Sequence, residues 1–258
     1  LAEARKSGCS MDNANIFFSS FFIKRADGKP TPYIPFTLED NPKEMLVVNT
    51  RQVDCSTFVE QVLALSLCVR QQCFTYAAFK ENLRTIRYEN GEVVYGRRNH
   101  YFTGWAENNR TNGIISFVET PANIFSSTQT VQLNWMTIHI NNYKMLKNDP
   151  SQLPLIKNME KSFSGKSYKY IPKSKAALNT KEMRETVHDG DIIVLLTTKA
   201  GLDTHHLGFA KWHKDGLHLI NASSLKKNRK VVEENITLYH YMQKQPTMQG
   251  FRVVRLNP

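Results

Sequence analysis

The sequence predicts an α+β protein in which helices come first and an antiparallel sheet follows. Two observations carry this. Up to about residue 90 the apolar residues recur at spacings of three and four, broken by turn signals. From about residue 190 the pattern changes to short β-rich runs divided by Gly- and Asp-containing turns. No linker composition and no internal repeat separates the halves. Residues 1–258 therefore read as a single domain, with a helical part at about 1–90, a sheet part at about 190–258 and insertions between.

Taken in order, a first helix is expected over Asn13–Ile23. Lys24–Tyr33, with Gly28, Pro30 and Pro32, is a turn-rich connector. Glu44–Asn49 (EMLVVN) reads as a short strand. A helix opening at Cys55 sets Phe58, Val59, Val62, Leu63 and Leu67 on one face. Asp54 suits its N-cap, because a carboxylate there accepts a free N–H of the first turn. A second helix, Phe74–Arg87, ends at Glu89–Gly91 (ENG). Residues 105–125 read as a long connection, and Thr128–Trp135 as a strand or loop edge. Ser167–Lys175 is extended ahead of and around Pro172, and a short helix is expected near Asn179–Val187. Strands follow at Asp191–Thr197, His205–Lys211, Gly216–Asn221 and Gly250–Leu256, read as a meander with a hairpin turn at Lys214–Gly216.

The bulk numbers bound the function. With 258 residues and 41% hydrophobic content the chain can bury a sizeable core. A net charge of +11 favours acidic partners. The Lys and Arg residues are spread along the chain, clustering only at Arg97–Arg98 and Lys226–Lys230, with no basic block interleaved with aromatics. That argues against a nucleic-acid binder. No apolar run reaches the ~18 residues a bilayer span needs. No charged start with an apolar stretch behind it follows Leu1, so the expectation is that any signal peptide has already been removed or never existed. Four cysteines are too few for a disulfide framework, and Cys68 and Cys73 read as buried free thiols. A monomer is expected.

The chemistry starts at Cys55. A thiol attacks as thiolate, and the free N–H groups and dipole of a helix N-terminus favour that charge. A buried structural thiol fits the position equally well, so a partner must decide. Four histidines, His205, His206, His213 and His218, lie within fourteen residues. They lack an HExxH pattern and straddle a hairpin, which argues against a metal site. On an alternating strand His205 and His206 face opposite sides. Gly208, two residues after His206 on the same face, is expected to leave room for a substrate or a helix end, which favours His206 as the base. Asn221, ending the next strand, can accept from the His206 ring and hold its tautomer.

These pieces resemble a known family. The segments are PYIPFTLE (Pro32–Glu39), LVVNTRQVDCSTFVEQVLAL (Leu46–Leu65), YGRRNHYFTGW (Tyr95–Trp105), YKYIPK (Tyr168–Lys173), DGDIIVL (Asp189–Leu195), HHLGFAKW (His205–Trp212) and LINASS (Leu219–Ser224). Their order and content resemble the NlpC/P60 cysteine peptidases, and within them the N-acetylmuramoyl-L-alanine amidase-like branch, DUF1460. The resemblance implies a papain-like core, with the nucleophile at a helix start packed on an antiparallel sheet that bears the histidine. It implies cleavage of peptidoglycan or muropeptide fragments at the amide between N-acetylmuramic acid, or its anhydro form, and L-alanine.

Position by position it makes Cys55 the nucleophile, His206 the general base and acid, and Asn221 the orienting residue; many relatives carry histidine at this third position. The Cys55 backbone N–H is an oxyanion donor, with Tyr33 a second by resemblance. Arg98, His100, Tyr101 and Trp105 are sugar or peptide contacts, since aromatic faces suit pyranose rings and arginine suits a carboxylate. No cofactor or metal is implied. The substrate places the protein in the periplasm or cell envelope. Two other readings stay open: an endopeptidase cutting the γ-D-glutamyl–diamino-acid bond, and a non-catalytic cell-wall binder with an inert Cys55.

Overall fold

The computed structural model describes Leu1–Pro258. Helices α1 (Ala2–Ser7), α2 (Met11–Ile23), α3 (Cys55–Arg70), α4 (Tyr76–Arg87) and α5 (Phe102–Thr111) come first. Strands β1 (Ile115–Val118) and β2 (Ser127–Thr130) follow, then α6 (Trp135–Ile138), α7 (Lys144–Asn148) and α8 (Leu153–Phe163). Next are β3 (Ser167–Pro172), α9 (Lys181–Thr186), β4 (Ile192–Thr197), β5 (Thr204–His213), β6 (Gly216–Ser223) and β7 (Lys230–Glu233). Helix α10 (Leu238–Gln243) and β8 (Met248–Leu256) close the chain. The strands form one sheet ordered β2-β3-β8-β4-β5-β6-β7, with β1 also paired to β8. Every strand pairing is antiparallel.

Helix α3 forms where its sequence starts it. The Asp54 carboxylate accepts the Thr57 N–H at 2.8 Å, and the Thr57 hydroxyl accepts the Asp54 N–H at 2.9 Å, a reciprocal cap. Phe58, Val59, Val62 and Leu63 are fully buried against Val194, Leu207, Phe209 and Ile220 of the sheet. Each such side chain contributes about 1.5–3 kcal/mol by leaving water. Phe58 meets the Phe209 ring edge-on, with centroids 5.6 Å apart. The other sheet face carries Ile193, Leu195, Leu219 and Val253 under α9 and α10. Covering on both faces explains why β4 reads IIVLL without polar alternation.

Several expectations need correction. Glu44–Asn49 forms no strand. Side chains satisfy its backbone instead: Arg87 donates to the Val47 carbonyl at 2.6 Å, Tyr88 to that of Met45 at 3.2 Å and Gln61 to that of Asn49 at 3.0 Å. The connection expected over 105–125 contains most of α5 and all of β1. The meander expected over the last four strands does not form as such. Instead β4–β7 meander, and β8 returns past them to lie between β3 and β4. Beside Gly208 there is no room: a Cβ there would stand 2.5 Å from the Ile220 carbonyl oxygen. Close approach of β6 is what requires this glycine. Cys68 is buried and Cys73 is exposed, and all four cysteines are free thiols. No helix is long and apolar enough to cross a membrane.

Candidate active site

Cys55, His100, Tyr101, Trp105 and His206 line one cavity of about 180 Å³. Its walls come from the start of α3, the segment entering α5, and the turn entering β5. A third cluster, built from Val131, Leu133, Met136, Leu146 and Ile156 with Tyr95 and Tyr101, backs the wall that Tyr101 and Met136 present.

His206 is placed by a bulge. Leu195 pairs with His206 and Leu196 with Thr204, so His205 is the extra residue of β5. His205 is exposed and His206 is buried, as the expected opposite facing requires. His206 Nε2 donates to Asn221 Oδ1 at 2.9 Å, which leaves Nδ1 as the nitrogen able to take a proton. The Tyr241 ring of α10 lies nearly parallel to the imidazole, with centroids 6.4 Å apart.

The electrostatics differ from the expectation of a thiolate favoured by the helix. Burial, then the Asp54 carboxylate, pushes the Cys55 thiol up to about 12. The Ser56 hydroxyl and the Leu207 and Ser56 amides oppose the shift without cancelling it. Burial likewise pushes His206 down to about 4, against the bond to Asn221. Without an imidazolium beside it, the helix N-terminus does not offset the lost hydration of a thiolate. Both shifts favour the neutral thiol and the neutral imidazole at rest.

The remaining predicted residues separate. Tyr33 is joined to Val53 by an isolated bridge and lies outside the cavity lining. Burial first, then the Asp54 carboxylate and any thiolate formed at Cys55, raises its phenol, so Tyr33 stays a donor. Arg98 is not on the cavity. It is buried, ion-paired with Glu39 and 3.6 Å from Glu44, so its charge is met within the protein. The Tyr101 hydroxyl donates to Glu160 at 2.7 Å and accepts the Met136 N–H at 2.8 Å, leaving the cavity its ring. His100 donates to the Tyr95 carbonyl at 2.7 Å, and burial, then the Arg98 charge, lowers it well below the ordinary range. Trp105 stacks on Phe102 with centroids 5.1 Å apart, and its Nε1 has no partner.

Sequence reasoning missed three residues. Tyr241 belongs to a helix that was not expected. Glu234, which follows the unexpected β7, accepts from Asn221 Nδ2 at 3.3 Å. Asp203 lines the cavity and accepts the Thr103 N–H in the first turn of α5 at 2.6 Å. An acid in the turn before the paired histidines was the one available signal for it.

The model of the AmiA-like family, described as N-acetylmuramoyl-L-alanine amidase-like, matches residues 27–248. The chain belongs to the AmiA-like family. Among solved structures, an N-acetylmuramoyl-L-alanine amidase from Bacteroides uniformis ATCC 8492 is 32% identical. It superposes with a TM-score of 0.84 over 96% of this chain and 99% of its own. A Bacteroides fragilis protein described as a candidate xylanase is 37% identical, with a TM-score of 0.78 over 88% of this chain and 96% of its own. A Legionella pneumophila protein of DUF1460 shares the fold at 23% identity and a TM-score of 0.68, over 98% of this chain and 91% of its own. No curated protein shows significant sequence similarity to the chain. Together these establish an α+β fold of the amidase-like type and peptidoglycan as the substrate class the family implies.

Proposed function

We propose that the protein is a cell-wall hydrolase that cleaves the amide between the lactyl group of N-acetylmuramic acid, or its anhydro form, and L-alanine. One arrangement carries the reading. Cys55 at the start of α3 and His206 line a single cavity, and Asn221 holds His206 by Nε2 with Nδ1 left over.

In this mechanism Cys55 Sγ attacks the lactyl carbonyl carbon while His206 Nδ1 takes the thiol proton. Because both groups are neutral at rest, the proton moves during the attack. The Cys55 N–H, in the first turn of α3 and without an intrahelical acceptor, meets the developing oxyanion, with the Tyr33 hydroxyl beside it. His206 passes the proton to the L-alanine nitrogen, the C–N bond breaks and a thioester remains. Water, deprotonated by His206, releases the lactyl carboxylate and restores the thiol. The fold is then a papain-like core of the NlpC/P60 type, acting in the periplasm or cell envelope.

The name given to the B. fragilis relative raises glycoside hydrolysis, which needs two free carboxylates across the scissile bond. Two carboxylates line the cavity. Glu60 is committed to Arg87 at 2.8 Å and Asp203 to the Thr103 amide at 2.6 Å. The thiol–imidazole pair is the better-founded reading. Weighing the products from a disaccharide muropeptide tests it. The amidase releases a peptide that begins at L-alanine and leaves the bare sugar acid. A fragment that begins at the diamino acid would make it an endopeptidase instead, and substrate bound but uncut would make it a binder.

A further inference from the structure

We propose that Glu234 is a positioning residue: it fixes which way the Asn221 amide faces, and thereby which nitrogen of His206 carries the proton. The consequence for rate rests on the catalytic reading above; the geometry does not.

Asn221 is fully buried. Its Oδ1 accepts from His206 Nε2 at 2.9 Å, and its Nδ2 donates to Glu234 Oε1 at 3.3 Å. An amide presents an acceptor at one end and a donor at the other, in nearly the same shape. Turned over, Asn221 would offer its NH₂ to His206 Nε2. The imidazole would then have to hold its proton on Nδ1, and that tautomer has no base to offer a thiol. The group on the far side of the amide decides between the two orientations. An ionised carboxylate only accepts, so it selects the NH₂ end. A flipped Asn221 would set two buried acceptors against each other.

Glu234 is built in for this task. It is 3% exposed and forms no ion pair, so placing a carboxyl group here carries a cost that plain packing would avoid. Its backbone N–H donates to the Leu219 carbonyl at 2.9 Å, and its own carbonyl accepts from His218 Nδ1 at 2.8 Å. Asn228 Nδ2 donates to its carboxylate at 3.1 and 3.4 Å. The carboxylate is therefore held from both the strand and the loop that precedes it, with Asn221 as its inward partner.

The first test reads the tautomer of His206 by nitrogen NMR on the ¹⁵N-labelled protein near neutral pH. The parent should show the Nε2–H form. Glu234→Gln, which can donate as well as accept, should move part of the population to Nδ1–H, whereas Glu234→Asp, still acceptor-only, should keep Nε2–H and remains informative if Glu234→Gln does not fold. A parent in the Nδ1–H form, an unchanged tautomer in Glu234→Gln, or an Nδ1–H form in Glu234→Asp would overturn the proposal.

The second test is a double-mutant cycle on muropeptide cleavage. Glu234→Gln should lower kcat by about tenfold or more with KM within about twofold, and should cost nothing further in an Asn221→Ala background. Additive losses would show that Glu234 acts elsewhere. If the parent cleaves no muropeptide, the functional reading falls, and the NMR result still decides the role of Glu234.

Discussion

His206 on β5 and Asn221 on β6 meet at 2.9 Å through Nε2 and Oδ1, both buried, with the ring of Tyr241 nearly parallel to the imidazole. The contact is local to one hairpin, so it forms with the sheet and does not wait for substrate. Removing it should leave binding alone and slow the chemistry. Asn221→Ala is expected to lower kcat by about 10²-fold with little change in KM, since an imidazole in the wrong tautomer cannot act as the base. Steady-state kinetics on a muropeptide checks this; a raised KM at unchanged kcat would make Asn221 a substrate contact.

The low proton affinity of His206 makes stability depend on pH. The unfolded chain takes up this proton near pH 6.5, while the folded chain does so only near 4. Between those values the unfolded state binds more protons, so stability falls as pH falls. The slope for one such group is about 1.4 kcal/mol per pH unit. His100, also lowered by burial, adds to it. Urea unfolding at pH 7.5 and pH 5 should show the loss, and His206→Gln should flatten it. A parent equally stable at both values would contradict the burial argument.

Thiol labelling should follow exposure more than catalytic role. Cys73 is exposed, Cys68 is buried, and Cys55 is half-buried with its thiol pushed up by desolvation. Iodoacetamide near pH 8 is expected to modify Cys73 first and Cys55 much later, read by peptide mass mapping. Rapid selective modification of Cys55 in the resting protein would mean that the helix N-terminus outweighs desolvation after all.

At the cavity wall, the Arg87–Glu60 pair is 2.8 Å long and almost wholly buried. Arg87 also holds the Val47 carbonyl, so it stands in for the missing strand of residues 44–49. Arg87→Met should cost about 3–5 kcal/mol, because it strands a buried carboxylate. Adding Glu60→Gln should return part of that loss. Denaturant midpoints measure both effects, and a loss below 1 kcal/mol would show that the pair is solvated in solution.

What the sequence made legible was what local chemistry decides. Asp54 and Thr57 cap α3 from three residues apart, so the start of the helix at Cys55 could be read directly. The apolar runs of β4 and β5 and the turn at Lys214–Gly216 were equally plain. Helix α5 was hidden because Gly104, Asn108 and Asn109 are weak helix formers. Packing imposes it: Gly104 lies so close to the Phe163 ring that a Cβ would stand 2.9 Å away. The same holds for Arg98, whose partners Glu39 and Glu44 lie some 55 residues earlier and gave no signal of pairing. The helix dipole at Cys55 is visible in a sequence, whereas the burial that pushes its thiol up is not.

The central claim is that one thiol of four carries the chemistry. The measurement that tests it most directly compares two proteins on the same muropeptide, Cys55→Ala and a Cys9→Ser, Cys68→Ala, Cys73→Ser triple variant. The account predicts that the first releases no peptide beginning at L-alanine, while the second releases it at close to the parent rate. Cleavage by Cys55→Ala at the parent rate would contradict the account.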